Sequence, residues 1–95
     1  MAGPAFHAYE SLAVAGTSVG FTAATYGAAC NYAWVQCEGA AVRFRMDGSD
    51  ATATVGVILY PGEILELNSR DQVVRFEAIR KDGVSATLNA HFGVQ

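Results

Sequence analysis

The 95-residue chain has little charge: only 16% of its residues are Asp, Glu, Lys or Arg, whereas soluble domains typically carry about 25%. Its six basic and nine acidic residues give a net charge of −3. The chain therefore lacks the basic stripe of a nucleic-acid-binding surface. It also lacks an apolar run of about 18 residues, which a membrane-spanning helix needs. These absences predict that neither nucleic acid nor a membrane is its partner.

The sequence also lacks a secretory signal, because no basic segment followed by an apolar one stands near its start. We therefore expect synthesis in a cytoplasm, where the only two cysteines, Cys30 and Cys37, would carry free thiols. Cys37 alternates with Val35 in an apolar segment and is predicted to be a core residue. Cys30 lies in a loop-like Ala-Ala-Cys-Asn segment, which favours an exposed position. A Cys30–Cys37 disulfide is the less favoured alternative.

Hydrophobic residues make up 52% of the chain. Ninety-five residues predict a single domain. A domain of this size buries only about 60–65% of the surface of its unfolded chain, so its core is thin. A high apolar content combined with low charge therefore suggests that part of the surface is covered by other chains.

Alternating apolar and polar residues predict β-strands separated by glycine-containing turns. The segment 41–67, AVRFRMDGSDATATVGVILYPGEILEL, reads as three strands at 42–46, 55–60 and 64–67. Further strands are expected at 6–14, 17–21, 32–38, between a turn at 69–72 and residue 81, and at 84–92. A short connection at 39–40 favours a hairpin between the strands 32–38 and 42–46.

Two segments are open to a helical interpretation: a single turn at 23–26, and a helix capped by Asn68 or Ser69. The count of seven or eight short strands nevertheless predicts an all-β fold with little helix. We expect an antiparallel β-sandwich, immunoglobulin-like or jelly-roll-like, with a barrel as the alternative. Residues 1–5 are predicted to form a flexible N-terminal arm.

Catalytic and metal-binding patterns are weak. His7 and His91 could approach each other if the first and last strands pair, but no further ligand stands at metal-site spacing. The segment Asp47-Gly48-Ser49-Asp50 resembles a calcium loop, although a turn built on Asx hydrogen bonds explains it without a metal. No nucleophile elbow or phosphate-binding loop is present. We therefore expect neither an enzyme, a metal nor a cofactor.

Five residues are candidates for binding a partner. Trp34, the only tryptophan, is expected to be at least half buried, as a core residue or an interface anchor. Tyr32 and Tyr60 are aromatic candidates that could also hold a sugar. Arg43 and Arg45 share one side of a strand and could face an acidic partner, although a solvated strand face is the simpler interpretation.

Seven segments carry a resemblance that covers most of the chain. They include V-R-F-R-M-D-G-S-D-A-T at the start of 42–56, P-G-E-I-L-E-L at 61–67 and F-E-A-I-R at 76–80. The others are TSV at 17–19, TAATYG at 22–27, VQCEG at 35–39 and the final strand at 84–92. In this order they resemble a family of small structural proteins of tailed-bacteriophage virions.

The resemblance implies a non-enzymatic protein of the virion. We expect a decoration or stabilising protein that binds the major capsid protein and forms homo-oligomers in the particle. A tail or head–tail connector component is the alternative. The segment 42–60 is also similar to immunoglobulin-like accessory domains of carbohydrate-active enzymes, with Ala51 in place of their proline. That similarity implies a second alternative, a carbohydrate-binding module for attachment to the host surface.

Overall fold

A computed structural model describes residues 5–95. Strands account for 46% and helices for 11% of the structure, so the all-β prediction is confirmed. The elements are β1 Ala5–Val14, α1 Ala23–Tyr26, β2 Tyr32–Glu38, β3 Val42–Arg45, β4 Val57–Leu59, β5 Ile64–Leu67, α2 Arg70–Arg75, β6 Glu77–Arg80 and β7 Ala86–Val94.

The strands form two antiparallel sheets, which confirms the predicted sandwich. One sheet has four strands in the order β1-β7-β2-β5, and the other has three in the order β4-β3-β6. Alternation explains their packing, since every second residue of β2, β3 and β7 is buried.

The core lies between the sheets and is centred on aromatic rings. Phe76 stacks on Phe21 with ring centroids 4.8 Å apart and on Phe44 at 5.7 Å. Phe92, from the four-stranded sheet, meets Phe21 edge-on at 5.2 Å. Burial of each such side chain contributes roughly 1.5–3 kcal/mol, so these contacts hold the two layers together.

The predicted hairpin between β2 and β3 is wrong, because the two strands lie in different sheets. β2 pairs with β7 on one side and with β5 on the other, so neither of its edges is available to β3. Gly39, with φ of 93°, allows the chain to leave the first sheet, and β3 then pairs with β4 and β6. The connection 39–41 is thus a corner between layers.

The segment after β5 forms helix α2, so the helical alternative is confirmed and the turn that we favoured is wrong. The Ser69 hydroxyl accepts a hydrogen bond from the Gln72 backbone N–H at 3.2 Å and so caps the first turn. Val73 and Phe76 are buried against the core. The cap and these contacts outweigh the β-branched composition. Neither helix within residues 5–95 has the length and apolarity needed to cross a bilayer.

Several predicted strand boundaries also differ. β3 ends at Arg45, β4 spans only Val57–Leu59, and β7 begins at Ala86. The segment 17–21 contributes a single bridge, from Val19 to Ala78. The last strand continues through Gly93 to Val94 instead of ending at residue 92. Ala5 belongs to β1 and pairs with Val94, so it is not part of an arm; residues 1–4 lie outside the described residues.

Candidate functional site

Aromatic side chains gather on the outer surface of the four-stranded sheet. We call this surface the aromatic face; it comprises Phe6, Tyr9, Tyr32, Trp34 and His91. Strand register brings them together, because His91 on β7 lies between Tyr9 on β1 and Trp34 on β2. In the next row Gly93 lies between Phe6 and Tyr32. Three strands distant in sequence therefore supply one surface.

A β-bulge in β1 places Phe6 on this surface. The register shifts between Phe6 and Ala8, so that His7 is the extra residue. Regular alternation would put Phe6 on the same side as Ala8, and the bulge moves it to the side of Tyr9. The Phe6 ring instead lies 5.9 Å from the Tyr32 ring and 5.5 Å from the His91 ring.

The aromatic face contains a shallow cleft of about 410 Å³ lined by Phe6, Tyr32, Trp34 and His91. Gly93 keeps this end of the sheet close-packed. A Cβ atom at Gly93 would lie 2.5 Å from the Ala5 carbonyl oxygen and 3.1 Å from Cδ1 of Phe6. Glycine is therefore needed for β1 and the Phe6 ring to approach β7 as they do.

A row of polar side chains borders the aromatic face. The Asn89 side-chain oxygen accepts hydrogen bonds from the Tyr9 hydroxyl at 2.9 Å and the Ser11 hydroxyl at 2.7 Å. The Asn89 amide nitrogen donates to Glu38 at 2.8 Å. We call Ser11, Asn89 and Glu38 the polar row. These mutual bonds orient the polar row next to the row that contains His91.

The Tyr32 hydroxyl is held in its neutral form. Burial raises the pKa of Tyr32, and the nearby Glu66 carboxylate raises that pKa further by hydrogen bonding and by its charge. Glu66 stands opposite Trp34 on β5. Tyr32 forms one wall of the cleft, and Glu66 places a carboxylate near its hydroxyl group.

Of the three aromatic residues predicted to bind a partner, the structure brings Tyr32 and Trp34 together. Trp34 is 39% exposed, so it is more than half buried, as expected, and lies outside the core. Tyr60 lies apart from the cleft, in the turn between β4 and β5. Sequence reasoning missed Phe6 and Tyr9 as site residues, and it considered His91 only as a possible metal ligand.

Arg43 and Arg45 lie side by side on the outer surface of the three-stranded sheet, but both bond to their own chain. Arg43 donates to the carbonyl oxygens of Ala53 and Gly56, each at 2.9 Å. Arg45 forms a forked salt bridge with Asp47, which raises the pKa of Arg45 and lowers that of Asp47. Their role in binding a partner stays a prediction.

The other predicted features have local structural roles. The His7 ring hydrogen-bonds the Tyr26 carbonyl oxygen at 2.9 Å, while His91 packs against Phe6 and Tyr9. The Asp47 carboxylate accepts a hydrogen bond from the Ser49 backbone N–H at 3.2 Å, which is an Asx turn. Within residues 5–95, no three His, Cys, Asp or Glu side chains converge on a metal site.

Both cysteines are free and buried, so the expectation that Cys30 is exposed is wrong. The Cys30 thiol donates to the Tyr32 carbonyl oxygen at 3.3 Å. The Cys37 thiol lies 3.1 Å from the carbonyl oxygen of Ala40 and 3.6 Å from that of Leu59. Burial, and secondarily the charge of Glu63, raises the pKa of Cys37. Both thiols are therefore part of the core packing.

Neither family models, curated proteins nor solved structures provide a match to this chain.

Proposed function

We propose that the chain is a non-enzymatic structural protein of a tailed-bacteriophage virion, most simply a decoration protein that binds the major capsid protein. The ordered series of motifs from residue 17 to residue 92 supports this proposal by its resemblance to such proteins. The structural observation that supports the proposal is that large hydrophobic side chains are exposed on more than one side of this small domain. A protein in an assembly has several neighbours that could cover them. The exposed large hydrophobic residues are Phe6, Tyr9, Trp34, Met46, Val55, Val57, Tyr60, Ile64, Val74, Val84 and Val94.

The open edge of the three-stranded sheet is the proposed contact with the capsid protein. We call Val55, Val57 and Tyr60 the β4 edge. β4 is the outermost strand of its sheet in the described part of the chain, and these three side chains are exposed within six consecutive residues. An exposed strand edge with apolar side chains is suited to pairing with another chain.

Arg43 prepares this edge for binding. Its two hydrogen bonds to the carbonyl oxygens of Ala53 and Gly56 fix the loop that leads into β4. A loop that is already ordered loses less conformational entropy when a partner binds. Repetition of such a modest contact over a symmetric shell, together with contacts between copies, would raise the total affinity through avidity.

The test is incorporation into particles. Virions are purified from host cells that supply either the wild-type chain or a variant, and the copies per major capsid protein are counted by quantitative mass spectrometry. Val57→Asp places a charge on the β4 edge and is expected to lower the copy number at least tenfold. Val84→Asp is the matched control, because Val84 is 58% exposed and Val57 is 59% exposed, but Val84 lies outside the β4 edge.

Two results would contradict the proposal. Absence of the wild-type chain from purified virions removes the virion role, and equal incorporation of both variants removes the β4 edge as the contact. A cryo-EM map of the same particles distinguishes the head from the tail and the head–tail connector, which are the alternative locations.

A further inference from the structure

We propose that the cleft on the aromatic face binds an uncharged glycan, with a hexopyranose ring stacked on Trp34 and its hydroxyl groups bonded to the polar row. This inference is independent of the virion proposal, because it concerns the opposite sheet and can be tested on the isolated protein. Three properties of the surface support it: exposed rings, ordered hydrogen-bonding groups and the sign of the charge.

The rings provide an apolar surface of fixed shape. The C–H groups on one side of a pyranose ring carry a slight positive charge, which suits the negative face of an indole. Trp34 is the exposed indole, and Phe6, Tyr32 and His91 form the remaining walls. The Phe6 ring packs against the Tyr32 ring at an interplanar angle of 49° and against the His91 ring at 74°. Such mutual packing keeps the cleft formed before a ligand arrives.

The polar row begins one register step from His91 and Trp34, on the side away from Gly93. Asn89 and His91 are two residues apart on the same side of β7, a separation of about 6.8 Å, comparable to one pyranose unit with its hydroxyls. The Asn89 amide and the Glu38 carboxylate are planar groups held by the bonds to Tyr9 and Ser11. Sugar hydroxyls donate and accept hydrogen bonds, so they can bind both groups.

The charge on this sheet favours an uncharged ligand. The four strands β1, β2, β5 and β7 contain no Lys or Arg, while Glu38 and Glu66 stand at the borders of the aromatic face. Phosphates, nucleic acids and acidic sugars would meet the Glu38 and Glu66 carboxylates and no Lys or Arg from these strands. Contact between the aromatic faces of two copies would likewise bring these carboxylates together. A neutral polyol avoids this repulsion.

The experiment is saturation-transfer difference NMR on the purified full-length protein. The probes are maltotriose, cellotriose, chitotriose and mannotriose, with choline as the competing cationic ligand. We expect at least one trisaccharide to receive saturation from the protein. The same trisaccharide should shift the wavelength of maximum fluorescence emission of Trp34. The emission reports on the cleft directly, since Trp34 is the only tryptophan.

Variants identify the cleft as the site. Trp34→Ala, and independently His91→Ala, are expected to weaken binding of the responsive trisaccharide at least tenfold, with an unchanged circular dichroism spectrum. Tyr60→Ala is the control, because Tyr60 is an aromatic side chain of 53% exposure outside the cleft, and it should retain binding within twofold.

Three outcomes overturn the inference: no response to any of the four trisaccharides, a response to choline alone, or binding that persists in both cleft variants. None of them bears on incorporation into virions, so failure here and failure of the proposed function are separate results.

Discussion

The two sheets share a core but present opposite chemistry to solvent. The four-stranded sheet shows aromatic rings bordered by carboxylates and has no basic residue in its strands. The three-stranded sheet carries arginines, of which Arg43 and Arg45 are bonded to loops of their own chain. From charge alone, the arginines would be the expected residues to bind a partner. They instead stabilise nearby loops of the fold, whereas aromatic rings on the opposite sheet face solvent.

This contrast identifies where binding energy is available. A guanidinium that already bonds two carbonyl oxygens would have to break those bonds to meet a partner. On the aromatic face Phe6, Tyr9 and Trp34 leave part of their surface exposed, while Tyr32 is buried beside Phe6. Large exposed aromatic side chains in a preformed cleft are typical of binding sites.

The largest expected effect is a difference in stability between variants on the inner and on the outer surface of the four-stranded sheet. Phe92→Ala should lower the free energy of unfolding by about 3–5 kcal/mol, because it opens a cavity in the core. Trp34→Ala should lower it by only about 1 kcal/mol, since the indole is partly in solvent. Urea denaturation followed by circular dichroism measures both. Equal losses would mean that Trp34 is a structural residue rather than a binding one.

The next effect concerns the close approach of β1 and β7 beside the cleft. Gly93→Ala places a Cβ against the Ala5 carbonyl. It should lower the free energy of unfolding by about 1–3 kcal/mol. Gly16→Ala is the control, because its Cβ would meet only the flexible end of the Arg80 side chain at 3.3 Å, and it should change stability by less than about 0.5 kcal/mol. Similar urea midpoints for the two variants would contradict the packing described for Gly93.

The fold class follows from the sequence because alternation and turn residues are local signals. The pairing of β2 does not, since Gly39 and its neighbours permit either a hairpin or a corner between sheets. The choice depends on β5 and β7, which occupy both edges of β2. Long-range pairing of this kind is not encoded in one short connection.

The site was only partly predictable for the same reason. Outward positions of Tyr9, Trp34 and His91 follow from alternation. Pairing of the first and last strands, had it been known, would have placed Tyr9 beside His91. Phe6 could not be placed, because the bulge at His7 reverses the side on which Phe6 lies. The hydrogen bonds of Arg43 also depend on a loop whose path no local pattern specifies.

A smaller effect separates the two arginines of the three-stranded sheet. Arg43→Gln should lower the free energy of unfolding by about 1 kcal/mol, because it removes two charged hydrogen bonds to loop carbonyls. It should also speed proteolysis within 51–56. Arg45→Gln should leave the urea midpoint unchanged, since its salt bridge with Asp47 is exposed and screened. A larger loss for Arg45 would reverse the order of the two interactions.

The smallest effect is a pH dependence at Cys37, where the two sheets meet. The native pKa of this thiol is raised by burial, so above about pH 8.5 the unfolded chain ionises while the native thiol keeps its proton. The unfolded state then binds fewer protons, and stability falls as pH rises, by less than about 1 kcal/mol up to pH 9. Urea titrations in reducing buffer at pH 7.5 and 9 should show this loss in the wild type and a smaller loss in Cys37→Ala. Identical losses in both proteins would mean that Cys37 keeps its ordinary pKa and that the junction between the sheets admits water.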